Sequence, residues 1–202
     1  MKAKQGIVIA LAAALAGCAT APMSGPVEVM RYHLGAPLER GTLIAEPATG
    51  GPPASLEFQT YAAAVETEAY HAGFSAPADG AKSQYLASVG FTRTTQEGPP
   101  RQSPVSIGIG GGSYSGGRHG GVGLGGGISF PIGKSRPRFV VLSQLTVQIR
   151  RRADDTIIWE GHAQTAADSN APDAVAGTAA TKMAHALFVG FPGESGRTIT
   201  VK

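Results

Sequence analysis

Five histidines and a single cysteine are the side chains of this 202-residue sequence best suited to nucleophilic or metal chemistry. Their spacing offers little of either. His33, His71, His119, His162 and His185 stand singly, and neither an H-E-x-x-H helix nor a G-x-S-x-G elbow is present. The one pairing is Glu160 with His162 in "TIIWEGHAQT". Two residues apart in an alternating segment, they share one face of a strand, with Gln164 next along. A carboxylate beside an imidazole can relay a proton or give a metal two ligands, but no third ligand is identifiable. The competing reading is two polar residues on a solvated sheet face. His185, inside a helical pattern, reads as a partly buried structural residue.

The cysteine carries a stronger signal. Lys2 and Lys4 precede the apolar run Ile7 to Leu15, and the segment ends in Leu15-Ala16-Gly17-Cys18. A charged start, a short apolar stretch and small residues are the pattern of an export signal. The run is about nine residues, whereas a spanning helix needs roughly 20. "LAGC" looks like a bacterial lipobox, in which the cysteine is acylated and becomes the new N-terminus. Acylation would exclude Cys18 as a nucleophile and change the expectation from soluble to anchored. Residues 1–17 are therefore expected to be a signal peptide and 18–26 a short lipidated tether, since "ATAPMSGP" is small, polar or proline. Ala19, in the position where aspartate favours inner-membrane retention, points to the outer membrane with the domain facing the periplasm.

Charge agrees with export. The formal +3 falls to near neutrality once Lys2 and Lys4 are removed, leaving fifteen basic against fourteen acidic side chains. A nucleic-acid partner needs a pronounced basic face, so none is expected. With no second cysteine the exported chain has no internal disulfide and must hold together by its core.

The elements that would build that core are legible as periods. "VEVMRYHL" (27–34) alternates as a strand, and "GTLIAEP" (41–47) is a second. Phe58, Ala62, Val65, Ala69 and Ala72 recur at helical spacing, with Ser55 as N-cap, Glu57 in the first turn and Gly73 as C-terminal cap. "YLASVGF" puts Tyr85, Ala87, Val89 and Phe91 on one side of a strand. In "RFVVLSQLTVQIRRR", Phe139, Val141, Leu145, Val147 and Ile149 point one way; "ADD" turns the chain, and Ile157 and Trp159 return on one face. Arg150, Arg151 and Arg152 beside Asp154 and Asp155 read as mutual compensation at that turn. A second helix is expected from Ser169 or Asn170, with Pro172 in its first turn, Asp173 at the positive end of its dipole, and Val175, Ala179, Met183, Ala186 and Leu187 buried. Arg197 to Val201 closes as a strand. The order β-β-α-β, glycine-rich pair, β-β-α-β predicts an α+β fold for residues 27–202: a mostly antiparallel sheet with both helices on one face.

Between the halves lies "SIGIGGGSYSGGRHGGVGLGGGISF" (106–130), where twelve of the twenty residues from Gly108 to Gly127 are glycine. Val105, Ile107 and Ile109 alternate with glycines on one side, and Val122, Leu124, Ile128 and Phe130 on the other. That phase predicts a hairpin with one aliphatic face and one nearly bare face made by Gly108, Gly110, Gly121, Gly123, Gly125 and Gly127. A bare strand face marks close approach by another backbone or a ligand, or stands open to solvent. A phosphate site is not expected, because "GIGGGS" lacks the Walker spacing and no helix follows. No cofactor and no metal is expected.

Several segments together resemble the bacterial lipoproteins grouped as domain of unknown function 4136. They are "VMRYHL", "SLEFQTYAAAVETEAYHAGF", "LTVQIRRRADDTIIWEGHAQT" and "ATKMAHALFVGFPGESGRTITV". The resemblance covers roughly residues 27–202 and is most specific at Trp159-Glu160-Gly161 and at "LFVGFPG". It implies a small periplasm-facing α+β domain on a lipid anchor, and it brings no catalytic residues. The functional expectation is a lipid-anchored envelope protein, a non-catalytic module docking an envelope protein or glycan. The alternatives are a subunit of an oligomeric envelope assembly, or a periplasmic hydrolase or metal enzyme using Glu160 and His162.

Overall fold

The structure, a computed structural model, describes residues 22–35, 37–49, 55–98, 106–109, 128–131 and 138–202. Cys18, Gly110, Gly121, Gly123, Gly125 and Gly127 lie outside the described residues. Eight strands and two helices are described: β1 (Val27–His33), β2 (Leu43–Pro47), α1 (Leu56–His71), β3 (Tyr85–Gly98), β4 (Ser106–Ile109), β5 (Ile128–Pro131), β6 (Arg138–Arg151), β7 (Ile157–Asp168), α2 (Ala176–Phe188) and β8 (Thr198–Val201). Six strands form one sheet in the order β2-β3-β6-β7-β1-β8, and only the β2–β3 pair is parallel. The fold is α+β, as the periods predicted.

Alternation explains the sheet's two faces. Val29, Ala87, Leu145, Val147, Ile149 and Trp159 expose nothing, and they share one core with Val65 and Ala69 of α1 and Met183 and Leu187 of α2. Side chains of this kind contribute about 1.5–3 kcal/mol each on burial. Both helices therefore cover one face. The other carries Glu28, Gln144, Thr146, Gln148, Glu160, His162 and Gln164, and is half-sided in the manner of antiparallel sheets.

The ends of α1 follow from its sequence. Ser55 Oγ accepts from Phe58 N at 3.1 Å. At the other end Gly73 (φ +103°) lets Phe74 N reach Ala69 O and Gly73 N reach Tyr70 O, the paired bonds of a Schellman cap. Phe74 then packs inward, 4% exposed.

Four details correct the sequence reading. The second helix begins at Ala176; Pro172–Ala174 is a separate 3-10 turn, and Val175 is an exposed N-cap with no side-chain bond. Asp173 is drawn instead to Lys182 Nζ at 2.6 Å. Ile157 is 45% exposed while Ile158 is buried, because a bulge beside Ile149 and Arg150 shifts the pairing register by one residue at the hairpin's closed end. Phe139 is also half exposed, although Val141, two residues on, is buried with Ala167, Ala171 and Ala174.

The fourth concerns the expected tether. Met23 N donates to Asp168 Oδ2 at 2.9 Å, Asp168 N to Met23 O at 2.8 Å, and Gly25 N to Ala166 O at 2.8 Å. The chain is fastened along β7 from Met23 onward, which extends the ladder of β1 past Pro26. At the charged tip the expected compensation holds for two of the three arginines: Arg150 pairs with Asp155 and also with Glu46 (2.6 Å), and Arg151 with Asp154 (2.8 Å), whereas Arg152 donates to Ser83 O and Oγ.

β4 and β5 pair antiparallel in a separate two-stranded sheet, Ile107 opposite Phe130 and Gly108 opposite Ser129.

Candidate functional site

The face left open by the helices is where chemistry-bearing side chains gather. β7 sits between β6 and β1, so its outward residues have neighbours on both sides. Register places Thr146 and Met30 beside His162, Gln148 and Tyr32 beside Glu160, and Gln144 and Glu28 beside Gln164. A groove of about 430 Å³ runs along this strip, lined by Glu28, Met30, Tyr32, Gln144, Thr146 and His162 among others.

Glu160 and His162 do meet. His162 Nε2 lies 2.6 Å from Glu160 Oε1, and Gln148 Nε2 donates to Glu160 Oε2 at 3.2 Å. The other ring nitrogen, Nδ1, lies 3.3 Å from Thr146 Oγ1. With Nε2 protonated, the imidazole donates to the carboxylate and can accept from the hydroxyl. The order hydroxyl, imidazole, carboxylate is that of a nucleophile-activating relay. Thr146 was missed because nothing in the sequence places it opposite His162; only the β6–β7 register does.

The surroundings limit what this relay can do. Both strands lie inside the sheet, so their main-chain N–H groups are spent on neighbouring strands rather than aimed at a developing oxyanion. His162 and Glu160 side chains are 44% and 29% exposed, and solvent weakens the electrostatics on which such catalysis depends. Among the described residues no group of three or more His, Cys, Asp or Glu could hold a metal ion.

The remaining histidines scatter. His33 Nε2 contacts Gly193 O at 3.1 Å. His71 lies at the exposed end of α1. His119 lies outside the described residues. His185 corrects its expected burial: its side chain is 62% exposed and reaches across from α2 to Glu68 of α1 at 3.2 Å. It faces outward because its neighbours Ala184 and Ala186 occupy the buried stripe.

No family model matches the chain. It is 31% identical over 226 aligned positions to the uncharacterized protein ZMO1243 of Zymomonas mobilis subsp. mobilis, with 88% of this chain and 80% of that protein covered. Among solved structures it is similar to a PDZ-domain protein from Parabacteroides distasonis, with a TM-score of 0.45 and 13% identity over 89% of this chain. It spans 38% of that chain's length. It is also similar to the PelC dodecamer from Paraburkholderia phytofirmans, with a TM-score of 0.41 and 12% identity over 80% of this chain and 94% of that one.

Proposed function

The chain belongs to the same family as the uncharacterized protein ZMO1243 of Zymomonas mobilis, and we propose that it is a lipid-anchored module of the bacterial cell envelope. The observation that carries this reading is "LAGC" ending a short export-type apolar run, with Cys18 five residues before the fastening point at Met23. An extended residue spans at most about 3.6 Å, so acyl chains on Cys18 would hold the domain's Met23 end within about 18 Å of the anchoring thiol. Two or more chains make such anchoring stable. No helix among the described residues is long and apolar enough to cross a membrane. The proposal places the domain on the periplasmic side of the outer membrane and assigns it to the lipoproteins of domain of unknown function 4136.

The module's role in this reading is docking rather than catalysis, with an envelope protein or glycan as partner and no cofactor. The open sheet face and the glycine-rich segment offer the surfaces. Cys18→Ser should shift the protein from the membrane fraction to the soluble periplasmic fraction. Unchanged membrane fractionation of that variant would remove the anchor.

A second reading rests on the Thr146–His162–Glu160 contacts, which suit a hydrolase. The double variant Glu160→Ala/His162→Ala tests this second reading. Both side chains are partly exposed, and paired surface charges contribute about 0–1 kcal/mol, so the variant should fold within about 1 kcal/mol of wild type. An envelope phenotype matching wild type in the folded variant would remove the enzyme reading.

A further inference from the structure

The sheet has one long edge that nothing described covers. β3 runs for fourteen residues against β6 without a bulge, but β2 accompanies it only from Tyr85 to Val89. From Phe91 to Glu97 the side of β3 away from β6 has no strand beside it among the described residues. The direction of its main-chain groups can be read from the paired part. Tyr85 N donates to Thr42 O, and Val89 O accepts from Ala48 N, so the odd-numbered residues of β3 present N–H and C=O on the side away from β6. Alternation carries this on to Phe91, Arg93, Thr95 and Glu97. Thr92 to Glu97 are all exposed.

Proteins usually blunt such an edge with proline, charged side chains (lysine above all), a bulge or shortness. The other two edges are short: β2 has five residues and ends in Pro47, and β8 has four. "TRTTQE" is not short and has no proline, lysine or bulge, and its two charges, Arg93 and Glu97, are opposite in sign. It has instead a charge pattern that reads the same after a half-turn. An antiparallel two-fold through Thr95 sets Arg93 opposite Glu97, Thr94 opposite Gln96, and Thr95 opposite itself. No other antiparallel register sets the arginine opposite the glutamate.

We propose that the 91–97 edge of β3 is a homodimer interface, in which a second copy of this chain adds its own β3 antiparallel about Thr95 and makes one continuous twelve-stranded sheet. The interface is isologous, so each unit of complementarity occurs twice. Thr95 exchanges two main-chain hydrogen bonds with its mate, and each Arg93–Glu97 pair exchanges two more, while opposite charges directly across strands add to both. Arg93 already leans on the fold through a bond from Nη2 to Ala174 O, which limits the rotamer freedom left to lose on docking. The proposal stands independently of the lipid anchor, and it names the assembly only as a pair.

Disulfide trapping in the full-length chain tests the register. Residues opposite each other in a hydrogen-bonded pair have Cα atoms about 5.5 Å apart, within disulfide reach. Mild oxidation of Thr95→Cys should give a 95–95 linked peptide by mass spectrometry, a readout that Cys18 cannot mimic. Arg93→Cys should link poorly to itself and well when mixed with Glu97→Cys. Absence of the 95–95 peptide, or self-linking of Arg93→Cys as efficient as that of Thr95→Cys, overturns the proposal. Sedimentation of the detergent-extracted chain gives a second test. Arg93→Glu should weaken the dimer roughly tenfold or more, and Arg93→Glu/Glu97→Arg should restore it. Thr95→Pro should leave the monomer's ladder to β6 intact, because the lost N–H faces away from it, yet abolish the dimer. A Thr95→Pro chain that still dimerises sinks the idea.

Discussion

Replacing Gly161 by alanine should lower the unfolding free energy by about 3 kcal/mol, a loss of roughly 10 °C in Tm for a domain of this size. The cause is the side chain two residues earlier. Trp159 is fully buried and lays its ring back across position 161, where a Cβ would stand 2.3 Å from Cη2 and 2.9 Å from Leu187 Cδ2. The ring cannot give way. Phe188 stacks on it at 5.4 Å, Phe191 lies at 5.1 Å, and Nε1 donates to Pro192 O at 3.0 Å. Gly161 is therefore required for space and not for an unusual backbone angle. A double-mutant cycle isolates the claim: in a Trp159→Phe background Gly161→Ala should cost only about 1 kcal/mol. Equal costs in the two backgrounds would mean that the indole is not the obstacle.

Arg31 yields the second large effect. It sits among inward residues of β1 at 4% exposure, and its Nη2 donates to Ala186 O at 2.7 Å and Val189 O at 3.0 Å at the C-terminal end of α2. Burial lowers its pKa, so the charge is held at a cost. Its Nε is buried without a hydrogen-bond partner among the described residues, which adds to that cost. The return comes from two carbonyls at the negative end of a helix dipole that would otherwise be left unpaired. Charged hydrogen bonds contribute about 1.5–3 kcal/mol each, enough to outweigh one idle N–H. Arg31→Ala, which also leaves a cavity, should destabilise the domain by about 3 kcal/mol in denaturant unfolding. Arg31→Met keeps the stem and should cost about half as much. A methionine variant as stable as wild type would show that the guanidinium adds nothing net. Gly193, at φ +82°, belongs to the same arrangement, since a Cβ there would stand 2.3 Å from Arg31 Nη1.

How far the sequence reached can be judged from such residues. The stripe Phe58, Ala62, Val65, Ala69 and the cap at Gly73 are local signals, and α1 formed where they pointed. The strands of the 138–168 hairpin were equally plain, because alternation on one face is enforced by the core. What escaped was set across the chain. The bulge that buries Ile158 in place of Ile157 exists only in the pairing of β6 with β7. Pro172 and Asp173 fit a helix start locally, but Lys182 takes the carboxylate and a 3-10 turn intervenes. Nothing near Arg31 in the sequence marks its role, since the helix carbonyls that it binds lie more than 150 residues away. Glu160 and His162 were legible as a pair by spacing two; Thr146 and Gln148, which complete their contacts, were not. The uncovered edge of β3 was hidden likewise, because "TRTTQE" says nothing of which strand stops beside it.

Whether fatty acid is attached at Cys18 bears most directly on what this protein is. Cells expressing the full-length chain would be fed labelled palmitate, and the purified protein would be examined for label and for the mass of its N-terminal peptide. The account predicts a labelled chain beginning at an acylated Cys18, with no label in Cys18→Ser. An unlabelled chain, or one that retains residues 1–17 when mature, would contradict it.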